Sequence, residues 1–155
     1  MAEVKSKVVG GVSVAAIVLA ASAFIAPWEG LRLNPYRDIV GVLTVCYGET
    51  RGVENRKYTV AECEQKLHTG VGEFYGEMQK CIHKPLTEGQ WVAVTSWAYN
   101  VGSSQACRST LVRQINAGAS AETWCKQLKR WNRAGGREVR GLTNRRKAEY
   151  AACVK

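Results

Sequence analysis

Apolar residues in the middle of the chain recur at helical spacing, and each run begins with a residue that caps a helix. Thr59 precedes Glu62 by three residues, and Thr87 precedes Gln90 by three, so both pairs match the capping box. The first cap is followed by apolar residues at steps of three or four, namely Val60, Cys63, Leu67, Val71, Phe74 and Met78. This spacing places them on one face and predicts a buried amphipathic helix.

The same pattern predicts further helices toward the C-terminus. Their apolar positions are Trp91, Val94, Trp97, Ala98 and Val101 in the second, Leu111, Val112 and Ile115 in a third, and Trp124, Leu128 and Trp131 in a fourth. Gly118 ends the third helix, and Gly135-Gly136 predicts a loop before a last helix at about 143–154. We expect the tryptophans to pack in the core rather than to bind a ligand.

One stretch has the composition of a sheet. A β-rich run, residues 39–45, lies within a segment from Asp38 to Tyr47, with Gly41 and Gly48 as turns. The stretch before it, from Trp28 to Tyr36, predicts a short helix or turn. The expected class is therefore α+β, with a small β-lobe near the start and a larger helical lobe after it.

An uncharged run from Val8 to Trp28 follows Lys5 and Lys7 and is long enough to span a bilayer. Its strongly apolar members favour insertion by only about 3–5 kcal/mol, since the rest are Gly, Ala and Ser. Four interpretations stay open: a signal peptide cleaved near Ala21-Ser22-Ala23, a permanent anchor, a weak anchor that later leaves the membrane, or a buried helix. The first three imply export, and they divide the chain into segment 1–27 and body 28–155.

The net charge of +9 is concentrated in residues 107–155, which contain 12 basic and 3 acidic residues. Such a surface suits a polyanionic partner: nucleic acid, a membrane surface or an acidic cell-wall polymer. No helix-turn-helix or RNA-binding motif is present, and an export segment also disfavours nucleic acid. A merely solvated basic face is the simpler alternative.

Six cysteines occur at positions 46, 63, 81, 107, 125 and 153. Their spacing matches no zinc motif, and His68 and His83 complete none, so we expect no metal. An even number of cysteines favours disulfides and an oxidising compartment over six buried thiols. This agrees with export.

Two carboxylates lie close together in the sequence, Glu29 and Asp38, the latter being the chain's single aspartate. Glu29 follows Trp28 among apolar residues, where desolvation favours a protonated acid, whereas Asp38 precedes a turn in a polar stretch. Two carboxyl groups in contrasting environments are the arrangement used in glycoside hydrolysis.

The string Glu29-Gly30-Leu31-Arg32-Leu33, then Tyr36-Arg37-Asp38, then Thr44, resembles the catalytic signature of the T4-like phage lysozymes, glycoside hydrolase family 24. Segments 97–102, 109–111, 129–131 and 142–146 resemble helical-lobe segments of that family. The likeness covers residues 28–154. It implies a lysozyme-like fold and a muramidase that cleaves peptidoglycan between N-acetylmuramic acid and N-acetylglucosamine.

The resemblance also implies roles for three residues. Glu29 corresponds to the general acid, Asp38 to the carboxylate that activates or orients the attacking water, and Thr44 to a residue that helps to hold this water. The implied enzyme is an inverting hydrolase that acts as a monomer without metal or cofactor, and its partner is the peptidoglycan glycan strand.

A subset of this family is exported on an uncleaved, weakly apolar signal-anchor, which resembles residues 8–26. The implied location is the host inner membrane, with the body in the periplasm, and then the periplasm after release. In this subset Cys46 with Cys63 and Cys125 with Cys153 resemble recurring disulfides, and Cys81 with Cys107 resembles a pair in some members. The apolar run contains no cysteine, so a thiol-exchange switch within it is not available.

Many family members have a histidine where this chain has Glu49. An extra carboxylate there either increases the proton affinity of Glu29 or faces solvent, and we favour solvent. Two other functions remain alternatives. A lytic transglycosylase needs no water-handling Asp38 and Thr44, and a cationic pore-forming protein would need no Glu29.

Overall fold

The computed structural model describes Val8–Val9 and residues 12–155. Lys5 and Lys7, on which the predicted membrane orientation depends, lie outside the described residues. Two short antiparallel strands, β1 (Val8–Val9) and β2 (Val12–Ser13), lead directly into helix α1 (Val14–Glu29).

Helix α1 packs as part of the folded body. The Ser13 Oγ caps it by accepting a hydrogen bond from the N–H of Ala16, and the helix ends at Gly30, whose φ of +70° lets the chain turn away. Ile17, Ala21, Ser22 and Ile25 are buried and form one face, which packs against the two long helices that follow. The boundary predicted between residues 27 and 28 falls inside this helix. In the described part of the chain, no helix combines the length and apolarity needed to cross a membrane.

The β-lobe is a hairpin of β3 (Arg32–Arg37) and β4 (Leu43–Cys46). The prediction of a short helix or turn at Trp28–Tyr36 is wrong, because Trp28 belongs to α1 and the chain is extended from Arg32. The β-rich run also splits: the Asp38 carboxylate and Gly41 (φ +84°) form a turn, and Ile39 and Val40 are exposed at its tip. The strand is hard to predict because β3 alternates only weakly between apolar and polar positions.

The helical lobe begins with two long helices, α2 (Val60–Cys81) and α3 (Glu88–Val101). Thr87 and Gln90 form the predicted capping box. Thr59 caps α2 by accepting from the N–H of Glu62, but the Glu62 carboxylate accepts from Arg56 and does not complete the predicted box. There follow α4 (Ser103–Cys107), α5 (Thr110–Asn116), α6 (Ala121–Cys125), a 3₁₀ segment (Lys126–Arg130), a hairpin of β5 (Arg133–Ala134) and β6 (Arg137–Glu138), and α7 (Arg140–Cys153). The last helix thus starts about a turn earlier than predicted. The α+β class with a small β-lobe and a larger helical lobe is confirmed.

The main core lies around α3. Trp97 is fully buried and meets Trp131 edge to face, with ring centroids 5.4 Å apart, and Trp91 and Trp124 are also buried. Trp91, Trp97 and Trp124 therefore lie in the core, as predicted, and Trp131 packs against it while remaining partly exposed. Helices α3 and α7 approach closely at Gly89, where an added Cβ would lie 2.5 Å from the Ala152 carbonyl oxygen. This close packing fixes α7, which carries the arginines described below.

Three disulfides tie these elements together. Cys46 is bonded to Cys63, Cys81 to Cys107, and Cys125 to Cys153, which is the pairing that the resemblance implies. The first joins the β-hairpin to α2, the second joins α2 to α4, and the third joins α6 to α7.

Candidate active site

Glu29 is the last residue of α1, at the junction between the helical lobe and the hairpin. Its side chain is 23% exposed, and its Oε1 accepts a hydrogen bond of 2.7 Å from Arg145 Nη1. The other oxygen, Oε2, lies 4.0 Å from where a Cβ would stand on Gly48. One carboxylate oxygen is therefore held by a cation, while the other points toward the turn after β4.

Glu29 opens into a cavity of about 460 Å³ between the two lobes. The cavity walls come from the turn after β4, from α2 and from α3; the lining residues include Tyr47, Gly48, Glu49, Arg51, Glu73, Phe74 and Tyr99. Cys46 starts the turn with a left-handed backbone, φ +62°, a conformation that costs a non-glycine residue about 1–3 kcal/mol. The disulfide at Cys46 therefore fixes the point where the chain turns toward the cavity.

Tyr99 forms the α3 side of this cavity. Its ring packs against Phe74, with centroids 5.1 Å apart. Burial raises the pKa of Tyr99 to about 12, and the carboxylates of Glu29 and Glu49 add to the rise. Tyr99 is therefore a neutral hydroxyl at any pH at which the protein works.

Asp38 lies at the other end of the hairpin, where its carboxylate is fixed by the turn. The Oδ1 accepts hydrogen bonds from the N–H groups of Val40 at 3.0 Å and Val42 at 2.9 Å. Both bonds are made to Oδ1, which leaves Oδ2 available for a further hydrogen bond. A carboxylate held in this way can accept a hydrogen bond from a water and remove its proton.

Thr44 faces Tyr36 across the hairpin, and its side chain is buried. Its hydroxyl donates to the Val42 carbonyl at 2.9 Å, so its oxygen can still accept a hydrogen bond. Asp38 and Thr44 thus share one hairpin. Neither lines the cavity around Glu29.

An irregularity in β3 brings the two carboxylates closer than their spacing in sequence suggests. Arg32 pairs with Cys46, and Tyr36 pairs with Thr44. Between these two pairs the chain advances four residues along β3 but only two along β4, so β3 contains two extra residues. The two extra residues lie between Arg32 and Tyr36, a stretch that includes Pro35, and proline is tolerated at bulges. Between these two pairs β4 advances only about 7 Å. The bulge therefore shortens the path from the base of the hairpin, near Glu29, to Asp38.

Two expectations about the surroundings of Glu29 are wrong. Trp28 is 39% exposed, and Glu29 is hydrogen-bonded to the guanidinium group of Arg145 rather than enclosed by apolar residues alone. Glu49 does not simply face solvent: its side chain is 17% exposed and lines the same cavity. Its Oε1 accepts hydrogen bonds from the N–H groups of Thr50 and Arg51, and Arg51 also bridges to Glu73. The positive charge of Arg51 thus lies beside this extra carboxylate.

Helix α7 contributes a buried charge cluster that was not predicted from the sequence. Arg145, Arg146 and Glu149 are at most 4% exposed. Arg145 donates to Glu29 and to the Ser96 carbonyl at 3.0 Å, and Arg146 donates to Asn100 Oδ1 at 2.8 Å. The sequence pattern that could have indicated the cluster is Arg145-Arg146 followed one turn later by Glu149. On a polar helix such a pattern is typical of a solvent-exposed face, and it indicates a buried cluster only when α3 is known to cover this face.

Part of the basic C-terminal third forms a groove on the helical lobe. Arg108, Arg113 and Arg130 line a cavity of about 520 Å³ together with Gln105, Gln127 and Trp131. The ion pairs found in the described residues involve none of these three arginines. Such a groove suits an anionic polymer.

The described residues contain no cluster of three His, Cys, Asp or Glu side chains able to hold a metal.

Comparisons with known proteins agree with this architecture. The family model described as phage lysozyme matches residues 26–149. A SAR-endolysin of bacteriophage PS34 is 35% identical over 158 residues, covering 97% of this chain and 94% of the relative. Another SAR-endolysin, from enterobacteria phage P21, is 35% identical and covers 94% of this chain and 88% of its own.

Solved structures show the same fold. An endolysin from the Escherichia coli O157:H7 phage FAHEc1 superposes with a TM-score of 0.72 at 29% identity, over 90% of each chain. The active form of the P1 phage endolysin Lyz gives 0.77 at 21% identity, over 92% of this chain and 94% of its own. The secreted inactive form of that endolysin gives only 0.57 at 16% identity, over 87% and 93%. The predicted lysozyme-like fold is thereby confirmed, and the fold described here is nearer to the active form.

The family match spans the hairpin, the Glu29 cavity and most of α7. Relatives that share a third of its residues along nearly its whole length carry the same name. The chain belongs to the phage lysozyme family, the glycoside hydrolases with which phages degrade the peptidoglycan of their hosts.

Proposed function

We propose that this chain hydrolyses the β-1,4 bond between N-acetylmuramic acid and N-acetylglucosamine, with Glu29 as general acid and Asp38 as general base. The observation that carries the proposal is the geometry of the Glu29 carboxyl group. Arg145 donates to Oε1, so Oε2 is the oxygen left to carry a proton, and it points toward the turn after β4. A proton on Oε2 can pass to the glycosidic oxygen as the bond breaks.

The hairpin supplies the second half of the reaction. Asp38 accepts the proton of a water that attacks the sugar from the opposite face, and Thr44 accepts a hydrogen bond from this water. The glycosidic bond breaks as the new carbon–oxygen bond forms, so the anomeric configuration inverts. Room for a water requires the two carboxyl groups to be about 6.5–9.5 Å apart, and the shortened path along β3 is compatible with this.

Substitution of the three residues tests these roles. Glu29→Gln should lower the hydrolysis of purified peptidoglycan by about 10²–10⁴-fold or more, because an amide cannot deliver a proton. Asp38→Asn should be similarly severe, and Thr44→Ala should be damaging. The matched control is Glu122→Gln on the surface of α6, which should leave the rate unchanged. Glu29→Gln with activity within a few-fold of the unsubstituted protein would overturn the assignment.

The products separate hydrolysis from the alternatives. Hydrolysis by inversion yields reducing ends that start as the α-anomer, whereas a transglycosylase yields 1,6-anhydro ends. Hydrolysis with retention would yield the β-anomer first, so proton NMR of the first turnovers on a soluble glycan fragment distinguishes inversion, retention and transglycosylation. If lysis were instead due to pore formation, Glu29→Gln would still kill cells.

We further propose that the chain is exported on residues 8–26, is anchored in the host inner membrane, and becomes active as a monomer in the periplasm after release. The support is the position of α1. Its face of Ile17, Ala21, Ser22 and Ile25 completes the core, and Glu29 ends the same helix. With this helix in a bilayer the core would lack that face, and Glu29 would lie within roughly 10 Å of the membrane edge. The tethered form would therefore have no assembled site.

The location of the enzyme before and after depolarisation tests this proposal. Spheroplasts would be fractionated with and without an uncoupler, and the soluble fraction assayed for peptidoglycan hydrolysis and intact mass. We expect full-length protein to move from membrane to soluble fraction as activity appears. A soluble protein lacking residues 1–23 would show cleavage instead.

A further inference from the structure

The mechanism above uses Arg145 but leaves its buried neighbours without a role. Arg146 and Glu149 have no exposed surface, and ions removed from water cost several kcal/mol each unless they are well paired. Hydrophobic residues of similar volume would fill the same space at a lower cost in free energy. Because this buried ionic cluster contacts the proposed catalytic carboxyl group, we looked for a contribution of the cluster to catalysis.

The geometry divides Arg145 between two carboxylates. Its Nη1 lies 2.7 Å from Glu29 Oε1, and its Nε lies 3.7 Å from Glu149 Oε1. Glu149 Oε1 also lies 2.9 Å from Arg146 Nη2. Glu149 therefore approaches the edge of the guanidinium group that Glu29 does not use, and the two acids share one cation.

We propose that Glu149 is a positioning residue for Glu29: it acts through Arg145, whose charge it offsets, so that Glu29 can hold a proton in the pH range of catalysis. This role rests on the proposed function of Glu29. It names a residue that touches neither substrate nor the reacting atoms.

The charge balance gives the physical reason. With Glu29 protonated, the cluster of Arg145, Arg146 and Glu149 carries a net charge of +1. Without Glu149 it would carry +2, and the additional positive charge would drive Glu29 to its ionised form, which cannot act as an acid. Burial raises the pKa of Glu149 to about 7, so Glu149 supplies this negative charge increasingly as the pH rises through 7, the range in which an ordinary carboxylic acid has lost its proton.

Other groups face Glu29 from the opposite side. The titratable groups among them are Tyr99 on α3, Tyr47, Glu49 and Arg51 in the turn after β4, and Glu73 on α2. Ser96 and Asn100, which contact the arginines from α3, are uncharged. A substitution at Glu149 changes none of these groups, so its effect on the pH profile reports the shared arginine.

The first test is the pH profile of kcat/KM on purified peptidoglycan for Glu149→Gln. The alkaline limb, where the general acid loses its proton, should move to lower pH by about one unit, the size expected for removing one nearby charge from a partly buried site. Glu149→Asp retains the charge and should restore the limb to within about 0.3 unit. Glu122→Gln on the surface should not move it. A lower kcat/KM for Glu149→Gln with the alkaline limb at an unchanged pH would overturn the proposal.

A second measurement does not require Glu149→Gln to fold. Coupling between two sites is reciprocal, so neutralising Glu29 must shift the titration of Glu149 by the same amount. We would follow the Glu149 carboxyl carbon by NMR in protein labelled at glutamate Cδ, with and without Glu29→Gln. The Glu149 midpoint should fall by about one unit in the variant, and a change below about 0.2 unit would refute the shared arginine. If Glu29→Gln remained active, the proposed function would fail while this coupling could still be measured.

Discussion

Two alanines on opposite faces of α1 allow the packed and membrane-bound states of this helix to be separated. Ala21 is fully buried against α2 and α3, whereas Ala23 is exposed on the same helix. Replacing either with leucine adds the same three carbons to the apolar segment. Only Ala21→Leu adds them to a filled core.

The expected magnitudes differ between the two states. In a bilayer each substitution strengthens insertion equally, by about 0.5 kcal/mol on the insertion scale and up to about 2.4 kcal/mol from full transfer of three carbons. In the released protein, overpacking at Ala21 should cost about 1–3 kcal/mol, while an exposed leucine at Ala23 should change stability by less than about 0.5 kcal/mol. For a chain of this size, Ala21→Leu should lower Tm by about 2–12 °C.

Thermal unfolding of the purified soluble protein and membrane fractionation of expressing cells measure the two effects. Ala23→Leu should raise the membrane-bound fraction while its soluble form unfolds and hydrolyses peptidoglycan normally. Ala21→Leu should raise the membrane-bound fraction further and destabilise the soluble form. Equal Tm values for the two variants would refute the packing of α1 in the active body. An unchanged membrane fraction in both would refute the anchor.

Two further predictions concern stability. Replacing both members of the Cys46–Cys63 pair with serine should lower the free energy of unfolding, measured in urea, by about 3 kcal/mol in the chain-entropy model. It should also lower activity, because this bond fixes the turn beside Glu29. Full activity in the destabilised variant would show that other contacts fix the turn. The raised pKa of Glu149 means that the folded state binds its proton more tightly than the unfolded state does, so its contribution to stability is present below about pH 4.5 and is lost as the pH rises toward about 7. Glu149→Gln should therefore flatten the fall in unfolding free energy over this window, and an unchanged slope in denaturant titrations at several pH values would contradict the assignment.

The sequence predicted what depends on local pattern. The caps at Thr59 and Thr87 depend on neighbouring residues, and both threonines cap their helices. Most of the predicted apolar face of α2 is buried, but Val60 is exposed, and α3 is buried all round rather than on one face. Strand β3 was missed because its regularity depends on pairing with β4 and on a bulge that interrupts the alternation. Pairing partners lie outside any local window.

The residues of the candidate site likewise divide into those that a local sequence motif predicts and those that only the tertiary fold brings together. Glu29, Asp38 and Thr44 could be proposed because their spacing forms one motif. Arg145 lies 116 residues from Glu29, and only the packing of α7 on α3 brings them together. The nature of the Glu29 environment was mistaken for this reason: neighbours in sequence suggested an apolar pocket, whereas the neighbour in space is a guanidinium group.

The composition of α1 follows from the two environments that it would have to suit. A helix made only of leucine and isoleucine would hold firmly in a bilayer, but it could not approach α2 and α3 as closely as Ala21 and Ser22 allow. Ser22 is buried with no hydrogen-bond partner for its hydroxyl, a cost of about 1–3 kcal/mol that alanine would avoid. The same hydroxyl opposes insertion into lipid, so Ser22 weakens both states. Small residues at the closest contacts are therefore what core packing requires, and in the proposed anchored form the same residues would make the anchor weak. The proposed balance between membrane and body would then be set by side chains of the helix that ends at Glu29.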